Sequence, residues 1–212
     1  MHIPMITIQR GAGKNILTGN VKFDDWHISS SDELRDLRDT VIDIVERSGK
    51  GSAVVMVDVN SVKERRMDIT LLKELRTRKI DIWLTTHIRN SDDLFDAFYM
   101  NIDSLLVPYH NTVSDVALKE MNSVSDSTIP LIFAKGRNAL SRTGDADLHG
   151  ILRKVTQMGF FSVAVMDMSG TYDEGIWSEL FSDFDRIIPV VPGSDDVIES
   201  LKNIGYSDMI LL

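Results

Sequence analysis

The chain has 212 residues, 43% of them hydrophobic and 26% charged, with a formal net charge of -9 and a pI near 5.0. Duplex DNA and anionic membranes bind basic protein surfaces, and an acidic protein of this ordinary composition is not expected to have one. Neither nucleic acid nor membrane is therefore expected as a partner. The absence of cysteine excludes disulfides, thiolate metal ligands and thiol nucleophiles. No run approaches the roughly 18 apolar residues of a membrane span and the start lacks a signal-peptide pattern, so a cytoplasmic protein is predicted.

Eight short apolar runs are predicted to be β-strands. They occupy residues 3–8, 53–57, 80–84, 104–107, 129–134, 161–166, 186–191 and 209–212. The first seven are each followed by a polar stretch and then by a helical pattern. Strands of this kind pair in parallel, because each helix carries the chain back along the sheet and covers its face.

Seven amphipathic stretches between the apolar runs are predicted to be helices. The clearest apolar stripe comprises Leu148, Ile151, Leu152, Val155 and Met158. The first helix is expected to be capped by one of the serines 29–31 and to end at Gly49 and Gly51. Before that helix, residues 16–17 and 21–23 are predicted to form a small hairpin on the surface.

Eight strands and seven helices at about 25 residues per unit predict an α/β fold, a single (βα)8 TIM-barrel domain over residues 1–212. Because nothing follows residues 209–212, the eighth helix is expected to be absent or replaced. The outer side of the first and eighth strands then needs another cover, since large exposed apolar patches usually mark contacts. Two covers are open, the segment from Gly11 to Ile28 or a second subunit, and a symmetric homodimer is favoured.

Chemistry is expected at the carboxyl ends of the strands, where the loops of a barrel converge. Asp58 and Asp167 end two strands, and if they face each other across the mouth they form a carboxylate pair able to divide acid and base roles; otherwise each caps its own loop. His87 and His110 follow two further strands and are candidates for acid and base, with ordinary loop histidines as the alternative. Two histidines without a clustered carboxylate do not indicate a metal site, so no metal and no cofactor are predicted.

Basic side chains gather in the same loops. They are Lys63, Arg65, Arg66, Arg89, Lys135, Arg137 and Arg142. In an acidic protein this rim predicts a mouth that receives an anion, and the alternative is that these are solvated loop charges.

Two loops are candidate phosphate cradles because small residues let backbone N–H groups approach an anion at a helix start. One comprises Ser169, Gly170 and Thr171, and the other Gly193 and Ser194. The stretch of residues 11–14, Gly-Ala-Gly-Lys, lacks the full spacing of a phosphate loop and is interpreted as a turn.

Several motifs resemble those of phosphoribosylformimino-aminoimidazole carboxamide ribotide (ProFAR) isomerase and its cyclase sister of histidine biosynthesis. Residues 3–8 look like the first strand of that family, and Val57-Asp58-Val59-Asn60 is similar to its Asp-x-Asp on the second strand. The segment 87–94, His-Ile-Arg-Asn-Ser-Asp-Asp-Leu, resembles the family's Gly-Ile-Arg-x-x-x-Asp, and Asp167-Met168-Ser169-Gly170-Thr171 resembles its sixth-strand Asp-x-x-x-Asp-Gly-Thr. Residues 190–194 resemble its Ala-Ser-Gly-Gly turn. The likeness covers nearly the whole chain and implies a barrel that binds a phosphorylated metabolite.

The chain departs from that family where its reaction takes place. The family uses aspartates of the first and fifth strands as base and acid, and the corresponding positions here are Thr7 and Ala134, neither of which transfers a proton at neutral pH. The ProFAR isomerase reaction itself is therefore not expected, although Lys135 stands one residue beyond the missing acid.

Two classes of function are open. The first is an isomerase-type or lyase-type enzyme acting on a small phosphorylated or anionic metabolite. Its catalytic candidates are Asp58, Asp167, His87 and Lys135. Its candidates for ligand or phosphate binding are Arg89, Ser169, Gly170, Thr171, Gly193 and Ser194. The second is a catalytically silent ligand-binding or regulatory subunit.

Overall fold

The computed structural model describes residues 1–12, 15–48, 52–75 and 80–212. Eight strands make the central sheet: β1 (His2–Arg10), β2 (Ala53–Asp58), β3 (Asp81–Thr85), β4 (Ser104–Pro108), β5 (Thr128–Lys135), β6 (Val163–Asp167), β7 (Ile187–Val191) and β8 (Met209–Leu211). Each matches one of the predicted apolar runs to within two residues at either end. Gly13, Lys14, Gly49 and Gly51, which the sequence assigned to turns and to a helix end, lie outside the described residues.

The eight strands form a closed parallel barrel. Each pairs in parallel with the next along the chain, and β8 returns to β1 through His2 opposite Met209 and Ile3 opposite Ile210. Closure leaves no strand edge of the ring unpaired. The predicted α/β barrel is thus confirmed.

Helices surround this ring. They are α1 (Leu37–Ser48), α2 (Val59–Glu64), α3 (Ile69–Leu75), α4 (Ser91–Tyr99), α5 (Asp115–Val124), α6 (Leu148–Gln157), α7 (Glu174–Asp183) and α8 (Asp195–Ile204). The short helix α2 lies in a stretch that the sequence had assigned to a polar loop. Within the described ranges, no helix combines the length and the apolar character needed to cross a membrane.

Alternation along the strands divides the buried side chains into two cores. One core consists of residues of the barrel strands together with Ile28 and Met168, and fills the barrel interior, with Met5, Val55 and Phe133 among its members. The other includes helix residues such as Leu152 and Leu180 and lies between the sheet and the helices. Because successive strand residues point to opposite faces, membership of a core fixes the direction of the polar side chains at the strand ends.

A hairpin covers the carboxyl end of the barrel. Its strands are Val21–Asp24 and His27–Ser30, joined by a turn in which Asp25 has a positive φ of 53°. Ile28 belongs to the interior core, and Val21, Phe23 and Trp26 pack against it. We call residues 21–30 the mouth hairpin.

The mouth hairpin corrects two expectations. Residues 16–19 do not pair with 21–23, but run antiparallel to the end of β1. The serines at 29–31 do not cap the first helix, which begins six residues later at Leu37. Hydroxyl side chains in this segment serve the hairpin, because Ser30 bonds across to β1.

The outer flank of β1 and β8 is covered within one chain. Ile8 and Met209 point outward yet have no exposed surface, and Leu211 is half-buried. Within the segment 11–28, Ile16 is buried in the same outer core as Ile8 and Met209. Val21, Phe23 and Trp26 of that segment pack on the barrel interior instead. The physical reason for expecting a second subunit at this flank is therefore removed.

Candidate ligand site at the barrel mouth

The loops after β3 and β4 bring buried polar groups together at the mouth. Thr85 continues the inward face of β3, and His87 follows two residues later with 6% of its surface exposed. After β4 the chain makes a single 3-10 turn over Tyr109–Asn111. Four buried polar atoms, at the end of β3 and in these two loops, find no hydrogen-bond partner among the described residues: Thr85 Oγ1, His87 Nδ1, His110 Nδ1 and Asn111 Nδ2. Unsatisfied buried polar atoms are rare and costly, so their concentration on two neighbouring strands indicates a place for a polar ligand.

The surroundings of His110 are basic. Its ring packs on Phe133 of the interior core, with 4.8 Å between ring centroids. Burial lowers the pKa of His110 to about 4, and the charges of Arg65, His27 and His87 act in the same direction. Among the described residues, no carboxylate is a cause of this shift. The imidazole is therefore neutral at pH 7 in a positive field that an anion would relieve.

His87 shares this environment in part. Burial lowers its pKa, as do Arg89 and Arg65, while Asp93 acts in the opposite direction. Its backbone N–H donates to Ser61 Oγ at 3.3 Å, which fixes the start of the loop. Both mouth histidines are thus uncharged near neutrality, and each can accept a proton.

Most of the predicted basic rim is already paired. Arg66 lies 3.8 Å from Glu64, Arg89 3.0 Å from Asp93, and Arg137 2.5 Å from Glu179, while Lys135 pairs with Asp25 and Arg142 with Asp115. Among the described residues, Lys63 and Arg65 are the rim cations without a carboxylate within 4 Å. Arg65 takes the left-handed conformation, φ 54°, that ends α2. Of the seven predicted cations, Arg65 is the one that acts on both histidines and finds no acidic partner in the part of the chain that the structure describes.

Side chains at the carboxyl ends of β1 and β5 hold the mouth hairpin. Thr7 Oγ1 donates to the Gly19 carbonyl at 2.9 Å and lies 2.7 Å from Ser30 Oγ. Lys135 Nζ pairs with Asp25 and lies 4.5 Å from the centroid of the Trp26 ring. Thr7 and Lys135 therefore anchor the mouth hairpin, and the catalytic role of Lys135 stays a prediction.

Asp58 lies on the outer face of β2. It follows Val54 and Met56, which belong to the core between sheet and helices. One carboxylate oxygen accepts from the N–H of Ser61 at 3.0 Å and so caps α2. Burial raises the pKa of Asp58 to about 6, although the hydrogen bond from Ser61 acts in the opposite direction. The second carboxylate oxygen is buried and has no hydrogen-bond partner among the described residues.

Asp167 also lies on the outer face of its strand, following Val163 and Val165. Its Oδ1 accepts from the backbone N–H of Ser169 at 2.9 Å and from the Ser169 hydroxyl at 2.6 Å. Asp58 and Asp167 therefore do not face one another across the mouth. Each caps its own loop instead, which is the second of the two alternatives that the sequence left open. A cavity of about 90 Å³ adjoins Asp167 between the sheet and helices α6 and α7.

The two predicted phosphate cradles differ from the mouth in charge. In the first, Ser169 N–H serves Asp167 and Thr171 N–H donates to Ser169 Oγ at 3.1 Å, so both donors are used within the loop. In the second, Ser194 precedes α8, whose first turn begins with Asp195 and Asp196. Carboxylates at both loops oppose a phosphate. Neither loop joins the group of unpartnered atoms at the mouth.

The opposite, amino-terminal end of the barrel contains a larger cavity of about 760 Å³. Interior side chains such as Ile3, Trp83 and Ile188 form its floor. Phe161 and Phe181 stand at the same cavity with 65% and 45% of their surface exposed. The volume is that of a small-molecule site, although barrel enzymes place their chemistry at the other end.

Sequence reasoning found His87, His110 and Arg65 but missed His27, Thr85 and Asn111. His27 approaches the other histidines only because the mouth hairpin folds over the barrel, and the hairpin pairing was mispredicted. The inward alternation of β3 could have identified Thr85, since it continues from Trp83.

The fold and the site define a (βα)8 barrel with a covered, basic mouth. Comparison of the sequence with protein-family models gives no match, and comparison with curated proteins gives none either. Because barrels of this kind carry many unrelated activities, the function has to be argued from the site.

Proposed function

We propose that this barrel binds a small phosphorylated or carboxylated metabolite at its mouth, between His87, His110 and Arg65. The observation that carries the proposal is the group of four unpartnered buried atoms near Arg65, a cation with no carboxylate within 4 Å among the described residues. A phosphate or carboxylate accepts hydrogen bonds from N–H and O–H groups and supplies the missing negative charge. Charge-assisted hydrogen bonds are each worth about 1.5–3 kcal/mol.

Electrostatics supports an anion over a neutral ligand. Burial and basic neighbours lower the pKa of His87 and of His110 in the free protein. A bound anion favours the imidazolium form and raises both pKa values, so binding takes up protons. Affinity is therefore expected to increase as the pH falls from about 8 to about 5.

The same two histidines support a proton-transfer activity as the finer proposal. One neutral imidazole accepts a proton from the bound substrate, and the other, made imidazolium by the anion, donates one elsewhere on the same molecule. Such an exchange isomerises a sugar phosphate and consumes no cofactor; with loss of a leaving group it is a lyase reaction. The roles first considered for Asp58, Asp167 and Lys135 receive no support from the capping contacts and ion pair that these side chains make.

Kinship with the ProFAR isomerase and cyclase group is likewise a proposal. It rests on the resembling motifs and on the barrel, while Thr7 is bonded to the mouth hairpin and Ala134 faces the outer core. We infer a cytoplasmic protein without nucleic-acid or membrane partners from the acidic composition.

A screen of sugar phosphates and small carboxylates by thermal shift tests the binding proposal. Binding of a hit to Arg65→Gln is expected to be weakened roughly tenfold or more. Arg66→Gln is the matched control, because Arg66 is the next residue and already pairs with Glu64. The proposed site would be contradicted if both variants lost affinity equally, or if neither variant lost affinity.

Histidine NMR locates the ligand within the mouth. The imidazole resonances of His87 and His110 are expected to move on binding and to titrate at higher pH. Those of His2, which lies at the amino-terminal end of β1 and so at the other end of the barrel, are expected to stay unchanged. Turnover of a hit that is lost in His110→Gln would support the isomerase or lyase activity. Binding without turnover would favour a silent binding subunit.

The 760 Å³ cavity at the amino-terminal end favours a second candidate function, ligand binding without catalysis. It combines aromatic walls with a mixed set of charges, among them Asp126, Asp185 and Arg186. A hit that perturbs Trp83 and Phe181 and leaves the mouth histidines unmoved would assign the ligand to this end of the barrel.

Homodimerisation and replacement of the eighth helix stay predictions. The flank of β1 and β8 that motivated them is covered by the chain itself, so a dimer would have to use another face. Sedimentation at micromolar concentration distinguishes a pair from a single chain of 23.9 kDa.

A further inference from the structure

A histidine and two carboxylates meet between helices α6 and α7, away from the barrel mouth. His149 is the second residue of α6, and Glu179 and Asp183 lie four residues apart on one face of α7. His149 Nε2 is 3.4 Å from Glu179 Oε1 and 3.6 Å from Asp183 Oδ2. All three ligand atoms fall within 4.8 Å of one another.

The histidine nitrogen in this cluster lacks a hydrogen-bond partner. Nε2 of His149 is a buried atom without one, although the side chain as a whole keeps 12% of its surface exposed. The ring packs on Phe184, with 5.5 Å between the centroids, and this contact orients the nitrogen. A buried imidazole nitrogen that faces two carboxylate oxygens without a hydrogen bond is arranged as it would be around a shared cation.

The two separations from His149 agree with a tetrahedral ion, and the two carboxylate oxygens lie within 4.8 Å of each other. Zn²⁺ binds histidine nitrogen and carboxylate oxygen at about 2.0–2.2 Å, which places neighbouring ligands of a tetrahedron about 3.4 Å apart. The two measured separations from His149 match that spacing. From this geometry we propose that His149, Glu179 and Asp183 bind a divalent transition-metal ion, of which Zn²⁺ is the expected one. A fourth coordination position is then open to water.

Arg137 is the group that opposes this binding. Its guanidinium reaches both oxygens of Glu179, with Nη1 2.9 Å from Oε1 and Nη2 2.5 Å from Oε2. The side chain is 67% exposed and can move into solvent when an ion arrives. Removing Arg137 takes away a competing positive charge, so the proposal predicts tighter metal binding in Arg137→Gln. A cluster that is only a set of ion pairs predicts no saturable binding in either protein.

The test is a titration of the tag-free, chelator-treated full chain with Zn²⁺ by calorimetry, and with Co²⁺ by visible absorption. One equivalent is expected to bind with the intense absorption of tetrahedral Co²⁺. Glu179→Gln and Asp183→Asn should each weaken binding about tenfold or more, and His149→Gln should abolish the absorption. Because α7 exposes both carboxylates, these two variants are expected to fold even if the change at His149 perturbs packing on Phe184.

Asp185→Asn is the matched control, since it removes one negative charge two residues beyond Asp183 without touching the cluster. Unchanged affinity in this variant, together with weaker binding in Glu179→Gln and Asp183→Asn, would support the three side chains as ligands. Equal weakening in Asp185→Asn and Asp183→Asn would show attraction to a diffuse negative surface and overturn the proposal. So would the absence of saturable binding by the unmodified chain.

Discussion

Replacing Asp58 by asparagine should change the pH dependence of stability by an amount that follows from its burial. The asparagine side chain keeps a carbonyl oxygen that can cap α2 at the N–H of Ser61, because asparagine and aspartate are comparable N-cap residues. What the substitution removes is the charge. Since the neutral amide imitates protonated Asp58 at every pH, the difference between the two proteins reports the ionisation of this one carboxyl.

The magnitude follows from the two pKa values of Asp58, about 6 when folded and about 3.8 when unfolded. A raised carboxyl pKa means that the folded state prefers the protonated form, so the stability it contributes is complete below pH 3.8 and lost as pH rises through 6. At about 1.36 kcal/mol for each pKa unit, the full loss is about 3 kcal/mol. Because the unfolded carboxyl is already more than half ionised at pH 4, part of the loss precedes that pH, and about 2 kcal/mol of it falls between about pH 4 and pH 7.

Urea denaturation of both proteins across that range measures the difference. The free energy of unfolding of Asp58→Asn minus that of the unmodified chain should increase by about 2 kcal/mol as pH rises over this range. The value of that difference at low pH does not affect this expectation. Asp93→Asn is a control whose pKa shift has the opposite sign. Burial alone would raise the pKa of Asp93, but the hydrogen bonds and charge of Arg89 outweigh it and lower the pKa, so that variant should lose ground only as pH rises toward 3.8 and should differ from the unmodified chain by a nearly constant amount between about pH 4 and pH 7. A difference for Asp58→Asn that stays constant with pH would refute the assignment of a buried, unpaired carboxylate.

Two further expectations concern the reaction and the backbone. Expression of this chain should not rescue a histidine auxotroph lacking ProFAR isomerase, because Thr7 and Ala134 replace acid–base groups that are each worth on the order of a hundredfold to ten-thousandfold in rate; growth would contradict this. Gly205→Ala should destabilise by more than about 1 kcal/mol, since Gly205 has φ 125° and an added Cβ would lie 2.5 Å from the Phe181 ring. Gly170→Ala has a positive φ of 73° with nothing near its Cβ, so it isolates the backbone cost, and an equal loss in both would refute the steric part.

The barrel could be predicted from the sequence because its signal is local and repeated. Every barrel strand is an apolar run of a few residues, and most of the helices show a stripe such as that of Leu148, Ile151 and Leu152 on α6. Parallel pairing then follows from the helical connections, with no knowledge of which side chains meet.

The site was predicted less well because it depends on contacts between distant segments. Asp58 and Asp167 were placed correctly at strand ends, but each lies on the outer face of its strand, and a one-residue change of register would have reversed that direction. The approach of His149 to Glu179 and Asp183 joins two helices whose relative rotation no periodicity specifies. The mouth hairpin was missed in its pairing because residues 16–19 and 21–24 are both plausible partners for a neighbouring strand.

Closure of the ring between β1 and β8 has a consequence for how the chain folds during synthesis. The pairs His2 with Met209 and Ile3 with Ile210 join the first strand to the last, across nearly the whole sequence. Contacts of such separation carry the largest loop-closure entropy and form late. While residues 209–211 are still inside the ribosome, the emerging sheet has two open edges, at β1 and β7, and these expose unpaired backbone groups to other chains. Nascent chains should therefore be most prone to strand-mediated association just before the last strand is released, and chaperone binding at that stage would protect both edges until the ring can close.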